Sequence, residues 1–367
     1  MHLPKLLVEC GARKIFLVMG KGSYSASGAK AYLDDILKGY MVCQFCDFSV
    51  NPKVEDVGHG ITIFETEQFD IVLAVGGGSS IDMAKLINFL SGRPESFENY
   101  KFKSKTSNGS VRPLIAIPTT AGSGSEATSF AVLYANKEKF SVDNELLLPT
   151  AAIVDPDLTM SLPKYITATT GMDALSQAIE SYWSVNSNDE SKRYAGEAIT
   201  AIMTNLETTV NNPTESARAA MAEAAHLAGK AINITRTTAP HAISYPLTSY
   251  FGIPHGQAVG VTLSSLLVFN ANVTDKDVVD KRGFGYVRKT INDICKLLGA
   301  DSVGSAKATI DSLIFEIGLQ TRLSRLGLRE KKDIDIIVAN GFNPARVGNN
   351  PRMLSKEDLR EILEQIF

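Results

Sequence analysis

The sequence has few cysteines, little net charge and no long apolar run, and each of these features excludes a class of protein. Four cysteines in 367 residues are too few for a disulfide framework. A net charge of −3 gives no electrostatic reason to expect binding to nucleic acid or to an anionic membrane. No segment has the roughly 18 apolar residues of a membrane span, and the first residues lack the hydrophobic core of a signal peptide. We therefore expect a cytoplasmic protein with a small-molecule partner.

The order of apolar runs predicts an α/β fold with two domains. Short runs at KIFLVMG, FDIVLAVGGG and PLIAIPTT alternate with helical stretches, as in a parallel sheet that is covered by helices on both faces. After Leu158 the pattern changes to long helical segments such as ESARAAMAEAAHLAGKAI. We predict a Rossmann-like parallel-sheet domain over residues 1–158 and an all-helical domain over residues 159–367. The cleft between two such domains is the expected ligand site.

Cys43 and Cys46 form a CxxC pair in the stretch MVCQFCDFSV. This stretch has the composition of a strand, in which residues three apart point to opposite faces. A structural zinc site would also need a second pair of ligands. We therefore expect unreactive thiols here.

A glycine-rich turn is the strongest local signal in the first half of the chain. The run VGGGSSID, residues 75–82, follows an apolar strand and opens a helix. Glycines let the backbone approach a phosphate closely, and the free amides of a helix start provide donors and a positive dipole end. The spacing differs from the common GxGxxG pattern. A tight turn that needs glycine only for its backbone is the alternative interpretation.

Two neighbouring segments favour a dinucleotide. The run IPTTAGSGSE, residues 117–126, follows another strand and is rich in hydroxyls and glycine. The first strand ends in Gly20, Lys21 and Ser23, with no acidic residue to bind a ribose 2′-hydroxyl. This end of the strand favours NADPH over NADH, unless Lys21 is simply a solvated loop residue.

The second half of the chain contains a candidate metal-binding set. Only five histidines occur in the sequence, and His241 and His255 share one segment. Upstream, Asp173 and Gln177 lie one helical turn apart on one face. One carboxylate and two imidazoles suit Zn or Fe(II) with a position left open for substrate. Two capping or core histidines are the alternative.

Together these motifs resemble the iron-containing (group III) alcohol dehydrogenases, which share their fold with glycerol dehydrogenase and dehydroquinate synthase. The similarity covers almost the whole chain, including FDIVLAVGGGSSIDMAK, GMDALSQAIESYW and NNPRMLSKEDL. It implies a homodimeric, metal-dependent enzyme that transfers a hydride between NAD(P)H and a small aldehyde. By position, it implies cofactor contacts at Asn51, Gly77, Gly78, Ser79, Thr119, Thr120, Ser123 and Lys139, and metal ligation by Asp173, Gln177, His241 and His255. We add Asp82 to the cofactor residues.

The sequence departs from the family pattern in three places. Gln177 stands where the family usually has histidine, and its amide oxygen is a weaker ligand, so metal affinity should fall. Tyr245 stands where many members have another active-site histidine, either as a catalytic proton relay or as a packing residue. The chain also begins close to the first strand, without residues that members usually have before it.

The run TRTTAPHAISYPLTSYFGIPHGQAVG looks most like the branch that acts on phosphonoacetaldehyde and forms 2-hydroxyethylphosphonate. An anionic substrate needs a basic clamp, for which Arg236, Arg346 and Arg352 are candidates, because a guanidinium binds a phosphonate bidentately. Each of them has a surface or structural role as its alternative.

Two other functions are compatible with the same motifs. One is a lyase that resembles dehydroquinate synthase and shows no net redox, although such enzymes carry more basic residues and a different metal motif. The other is a non-catalytic nucleotide-binding protein whose metal site has decayed, as Gln177 suggests. Steady NADPH consumption with an aldehyde would separate the lyase from the dehydrogenase. Metal analysis followed by the substitution Gln177→His would test for a decayed site.

Overall fold

The computed structural model describes residues 2–93, 111–135 and 138–367. Two compact units follow one another along the chain, Met1–Leu162 and Pro163–Phe367. The boundary expected after Leu158 lies in the short 3-10 helix Pro156–Thr159, just before this division. In the ranges described, no helix is long and apolar enough to cross a membrane.

The first unit is built on a parallel sheet. Its strands are β1 (Lys14–Met19), β2 (Met41–Phe45), β3 (Ile71–Gly76), β4 (Leu114–Pro118), β5 (Phe130–Ala135), β6 (Glu138–Asp143) and β7 (Ala151–Ala152). Five of them pair in the order β2-β1-β3-β4-β7, with every pairing parallel, while β5 and β6 form an antiparallel hairpin. The helices in the described part of this unit are α1 (Leu3–Glu9), α2 (Ser23–Ala26), α3 (Ala29–Leu37), α4 (Val54–Phe64) and α5 (Gly78–Leu90). The four predicted strands β1 to β4 are confirmed.

Hydrophobic side chains cover both faces of this sheet, which explains its unbroken apolar runs. In β3, Val72 and Ala74 belong to one buried cluster, whereas Leu73 and Val75 belong to the other. The cysteines follow the same alternation, since Cys43 packs against the first cluster and Cys46 against the second. Burial raises the pKa of the Cys43 thiol, which disfavours the reactive thiolate.

The regular elements described in the second unit are helices, so the predicted α/β sheet followed by a helical part is confirmed. They are α6 (Lys164–Trp183), α7 (Asp189–Asn211), α8 (Glu215–Thr235), α9 (Ala239–Phe251), α10 (His255–Ala271), α11 (Phe284–Leu297), α12 (Val303–Glu316), α13 (Lys331–Asn340), α14 (Pro344–Val347) and α15 (Lys356–Gln365). Helix α6 packs against α7, α8 and α10 and is buried over most of its length. Its polar side chains are therefore held away from water, where ionic and hydrogen-bonding partners matter most.

Candidate metal and dinucleotide sites

The glycine-rich turn lies at the carboxyl end of β3 and opens α5. Gly77 is the N-cap of this helix, and Gly78 is its first residue. A Cβ atom at Gly78 would lie 2.6 Å from Oγ of Ser123, so only glycine allows the two loops to approach this closely. The turn therefore presents backbone amides at the start of a 13-residue helix, an arrangement that suits a phosphate.

The loop after β4 packs against this turn. The N–H of Thr119 donates to the carbonyl oxygen of Gly76 at 2.9 Å, and the Thr119 side chain is fully buried. Thr120 lies against Gly77, just as Ser123 lies against Gly78. The structure thus brings together five of the predicted cofactor residues: Gly77, Gly78, Thr119, Thr120 and Ser123.

Two further segments reach the same end of the sheet. The N–H of Asn51, a residue in the left-handed region at φ 64°, donates to Oγ of Ser79 at 3.1 Å. The N–H of Gly20 donates to the carbonyl oxygen of Val75 at 3.2 Å, and Ser23 packs against Gly20. Further predicted contacts lie at Lys21, which is exposed, and at Lys139, which is half-buried on β6. Cofactor contact by these residues remains a prediction.

Asp82 differs from the other cofactor candidates because both oxygens of its carboxylate accept hydrogen bonds from the protein. Oδ1 accepts from the hydroxyl of Ser125 at 2.7 Å, and Oδ2 accepts from the N–H of Val132 at 3.0 Å. Burial raises the pKa of Asp82, while the charge of Lys85 acts in the opposite direction. Asp82 therefore connects α5 to the loop after β4 and to the β5–β6 hairpin.

Lys85, one turn further along α5, is a buried cation that the sequence analysis did not single out. Its Nζ donates to the carbonyl oxygens of Thr128 at 2.7 Å and Phe130 at 3.0 Å. Burial lowers its pKa to about 8, although the charges of Asp82 and Glu126 oppose that shift. Lys85 and Asp82 thus both bind the segment between β4 and β5.

The predicted metal ligands converge in the helical unit. Nε2 of His241 lies 3.3 Å from Oδ1 of Asp173, and Nε2 of His255 lies 3.8 Å from the same oxygen. Asp173 and His241 are buried and His255 is half-buried, and one ligand atom from each lies within 4.8 Å of the others. One carboxylate and two imidazoles at this spacing fit a divalent ion.

The close packing of two helices produces this convergence. Asp173 lies on α6, and His255 is the first residue of α10. A Cβ atom at Gly256 would lie 1.8 Å from the carbonyl oxygen of Thr169, so glycine is required where α10 meets α6. Gln177, one turn after Asp173, is 3% exposed, which places the predicted fourth ligand on the same buried face.

Glu180 adds a carboxylate behind the ligands. It is fully buried, and it bonds Nδ1 of His241 through one oxygen. Its other oxygen accepts from the N–H of Thr238 at 2.6 Å and from the hydroxyl of Thr238 at 2.9 Å. Because a carboxylate accepts from Nδ1–H, His241 would present its lone pair on Nε2, facing Asp173, when a metal ion replaces the Nε2 proton.

Ser244 sets the same tautomer for His255. Its hydroxyl donates to the carbonyl oxygen of His241 at 2.7 Å, and Nδ1 of His255 lies 3.3 Å from its oxygen. With the hydroxyl proton of Ser244 directed to that carbonyl, the arrangement favours donation from Nδ1–H of His255, which leaves the His255 lone pair on Nε2. Both imidazoles are therefore oriented as metal ligands.

The electrostatics of this cluster favour positive charge. Burial by itself lowers the pKa of His241, but the charges of Glu180 and Asp173 and the hydrogen bonds to them raise it to about 10. The protein therefore places an imidazolium between two carboxylates unless a cation takes over that charge.

Both halves of the chain match one known protein family. Residues 1–156 match the family described as iron-containing alcohol dehydrogenase. Residues 167–367 match the C-terminal part of the Fe-containing alcohol dehydrogenase family. The chain belongs to the iron-containing alcohol dehydrogenase family. The predicted family, and the enzyme class of an NAD(P)-dependent alcohol dehydrogenase, are confirmed.

Three relatives show the range of this dehydrogenase family. The phosphonoacetaldehyde reductase of Streptomyces viridochromogenes is 35% identical over 80% of this chain and 75% of its own length. The NAD-dependent methanol dehydrogenase of Bacillus methanolicus is 30% identical over 98% of this chain and 93% of its own. The solved sulfoacetaldehyde reductase of Bifidobacterium kashiwanohense, in complex with NAD+, is 33% identical and has a TM-score of 0.85, with 100% of this chain and 94% of that chain covered.

The candidate proton relay and the candidate substrate-binding arginines of the dehydrogenase lie in different surroundings. Tyr245 is half-buried on α9, and its hydroxyl accepts from Nε of Arg346 at 3.5 Å. Arg352 forms an ion pair with Asp277 at 2.7 Å. Arg236 ends α8, where its guanidinium donates to carbonyl oxygens of that helix.

Glu180 and Lys85 are the residues that the sequence analysis missed. Glu180 had a signal, because it follows Asp173 by seven residues and Gln177 by three, on one face of a helix. Lys85 had none, since its partners lie more than 40 residues away along the chain.

Proposed function

We propose that this dehydrogenase reduces a small aldehyde with an anionic head group, and that phosphonoacetaldehyde, which would give 2-hydroxyethylphosphonate, is the first substrate to test. The observation that carries the proposal is the convergence of Asp173, His241 and His255. Two relatives support the substrate class, because their names specify aldehydes with a phosphonate or a sulfonate.

The ligand set would hold a divalent ion, Fe(II) or Zn. Asp173, His241 and His255 would bind it, with Oε1 of Gln177 as a weaker fourth ligand. A neutral amide in place of an imidazole lowers the affinity for the metal. The other three ligands are stronger, and catalytic zinc sites use three protein ligands. This argues against a decayed site.

The residues of the chain have separable roles in the reaction. When bound, the ion supplies Lewis-acid polarisation of the carbonyl, and the reduced nicotinamide supplies the hydride. Glu180 and Ser244 keep both imidazoles in the ligating tautomer. The amides of the Gly77–Gly78 turn would bind the pyrophosphate. Tyr245, one turn from His241, is the candidate that delivers a proton to the alcohol oxygen.

We propose NADPH as the preferred dinucleotide. The support is the exposed Lys21 and the absence of an acidic residue between Met19 and Ser23. A positive charge at this position attracts a 2′-phosphate, which an acidic residue would repel. The relatives whose names specify NAD make the direct comparison of NADPH with NADH necessary.

One assay tests the proposal. Metal-free protein is loaded with Fe(II) or Zn and given phosphonoacetaldehyde, sulfoacetaldehyde or uncharged aldehydes, with NADPH or NADH. We expect steady nicotinamide oxidation that depends on both metal and aldehyde. Absence of turnover together with absence of metal binding would support the non-catalytic alternative. Conversion of substrate without net nicotinamide oxidation would support the lyase.

A further inference from the structure

The loop between β4 and β5, residues 119–129, has a more accessible tip and a buried base. In the tip, residues 120–123, Thr120 and Ser123 are half-buried, and both are predicted to contact the dinucleotide. The base, residues 124–129, is buried throughout. The part of this loop that can meet a ligand is therefore carried on a part that lies in the protein interior.

Lys85 binds the base of the loop and the first residue of β5 with its ammonium group. Nζ donates to the carbonyl oxygen of Thr128 at 2.7 Å, to the hydroxyl oxygen of Thr128 at 3.0 Å and to the carbonyl oxygen of Phe130 at 3.0 Å. An ammonium group has three N–H donors, and these three acceptors match them in number. Because Lys85 is also only 1% exposed, its ammonium group supports the loop rather than contacting a ligand.

Hydrogen bonds continue from α5 through the base of the loop to its tip. The carboxylate of Asp82 accepts from the hydroxyl of Ser125 at 2.7 Å, and the hydroxyl of Thr128 donates to the carbonyl oxygen of Ser125 at 3.3 Å. The N–H of Ser125 donates to Oγ of Ser123 at 3.3 Å. This Oγ is the atom that a Cβ at Gly78 would approach to 2.6 Å. The base thus connects the buried charges of α5 to the contact between the tip and the glycine-rich turn.

One helix carries all the parts of this arrangement that lie outside the loop. Helix α5 begins at Gly78, and Asp82 and Lys85 follow four and seven residues later, which places both on the face of the helix that begins at the turn. The helix that presents backbone amides for a pyrophosphate therefore also holds the loop whose tip lies against those amides.

We propose that Lys85, together with Asp82, is a positioning residue for dinucleotide binding, because it holds the tip of the loop against the glycine-rich turn. The inference rests on the proposed dinucleotide site and deepens it. Binding is weakened by the cost of ordering loops and side chains, and a loop that is held in place beforehand avoids much of that cost. Without Lys85, the base loses its buried cation, and the dinucleotide must order the tip when it binds.

Equilibrium binding of NADPH and NADH, followed by the fluorescence of the reduced nicotinamide, is the first test. It needs neither substrate nor turnover. Lys85→Met should raise the Kd of both dinucleotides at least about tenfold, because ordering the tip then opposes binding. In the metal-loaded enzyme with an aldehyde substrate, the loss should appear in the KM for the dinucleotide rather than in kcat.

A stability-matched variant controls for general destabilisation. Leu7 is fully buried on α1 in a hydrophobic cluster of the same unit, so Leu7→Ala destabilises the unit through a cavity. Under conditions in which the proteins are folded, Leu7→Ala should leave the Kd of both dinucleotides unchanged. If Lys85→Met does not fold, Thr128→Val provides the test, since it keeps the shape of the side chain and removes one of the three acceptors of Lys85. It should raise Kd by a smaller factor.

The outcomes separate this inference from the proposed function. If Lys85→Met binds both dinucleotides as tightly as wild type, or if Leu7→Ala weakens binding equally, Lys85 only supports packing and the inference is wrong, while the proposed reaction stands. An unchanged Kd in Thr128→Val, where that variant provides the test, has the same meaning. If Kd depends on Lys85 but wild type reduces no aldehyde, the positioning role stands and the proposed reaction is wrong. If wild type binds neither dinucleotide, both are wrong.

Discussion

Glu180 bonds Nδ1 of His241 although both side chains are buried in the helical unit. A carboxylate in this place fixes the ring orientation and increases the basicity of Nε2, the atom that faces Asp173. It explains why this stretch of α6 keeps two carboxylates and an amide on a face that would otherwise be apolar.

Replacing Glu180 should weaken metal binding. Glu180→Gln keeps the size of the side chain but loses its charge, and we expect metal affinity to fall about 10- to 100-fold. Competition with a chromogenic chelator measures this directly and does not depend on turnover. The matched control Glu190→Gln changes an exposed glutamate on α7 and should leave affinity unchanged. Equal affinities for Glu180→Gln and wild type would show that Glu180 only supports packing.

We expect Gln177 to influence how tightly the ion is held. Gln177→His supplies an imidazole, and Gln177→Ala removes the ligand. We expect affinity to increase in the order Ala, Gln, His, with about tenfold, or 1.4 kcal/mol, between neighbours in the series. The metal-dependent rise in Tm of the three proteins reports the order, since a ligand stabilises the state it binds. Identical shifts for Gln and Ala would mean that Gln177 is not a ligand.

Lys85 should be essential for the stability of the first unit. Lys85→Met leaves the carboxylate of Asp82 and the carbonyl oxygens of Thr128 and Phe130 buried without their cation. We expect the free energy of unfolding to fall by about 3–5 kcal/mol, as measured in urea. The exposed control Lys38→Met should have little effect. A loss no larger than that of the control would contradict the role assigned to Lys85.

The same lysine predicts a pH dependence. Its pKa is about 8 in the folded protein and 10.5 as the ordinary value, so the unfolded chain retains the proton in this window while the folded chain has lost it. Stability rises with pH wherever the unfolded state binds more protons. The difference in unfolding free energy between wild type and Lys85→Met should therefore grow from pH 8 towards pH 10.5. A flat difference across this range would mean that Lys85 keeps its ordinary pKa when buried.

Lys21 is expected to set the dinucleotide preference. Lys21→Glu replaces attraction by repulsion at the ribose 2′-phosphate, so the ratio of kcat/KM for NADPH to that for NADH should fall at least about tenfold, equivalent to 1.4 kcal/mol. Because Lys21 is exposed, folding should be unaffected. Lys38→Glu, also exposed, is the control for charge alone. A ratio that does not change would assign Lys21 to the solvated loop.

Those parts of the fold that local sequence patterns encode could be predicted from the sequence. The apolar runs of β1, β3 and β4 and the glycine turn after β3 are continuous in sequence, and the structure has them at the expected places. The set of Asp173, His241 and His255 was predictable because histidines are few. Their convergence depends on a long-range contact between Gly256 and Thr169, which no local pattern in the sequence shows.

Residues whose roles depend on tertiary partners were not predictable in the same way. Asp82 is predicted to contact the cofactor, and the fold adds a role that the sequence does not show, because its carboxylate accepts from Ser125 and Val132. Arg346 could not be separated from Arg236 and Arg352, since only the fold shows that its guanidinium reaches Tyr245. A buried charge has no local sequence pattern when its partners come from distant elements.

Anomalous diffraction tests the central claim most directly. Crystals grown with Fe(II) or Zn should show one strong anomalous peak per chain at the absorption edge of that metal. It should lie about 2.0–2.2 Å from Oδ1 of Asp173 and from Nε2 of both His241 and His255. Well-ordered side chains at these positions with no peak between them, or a peak held by other residues, would contradict the account.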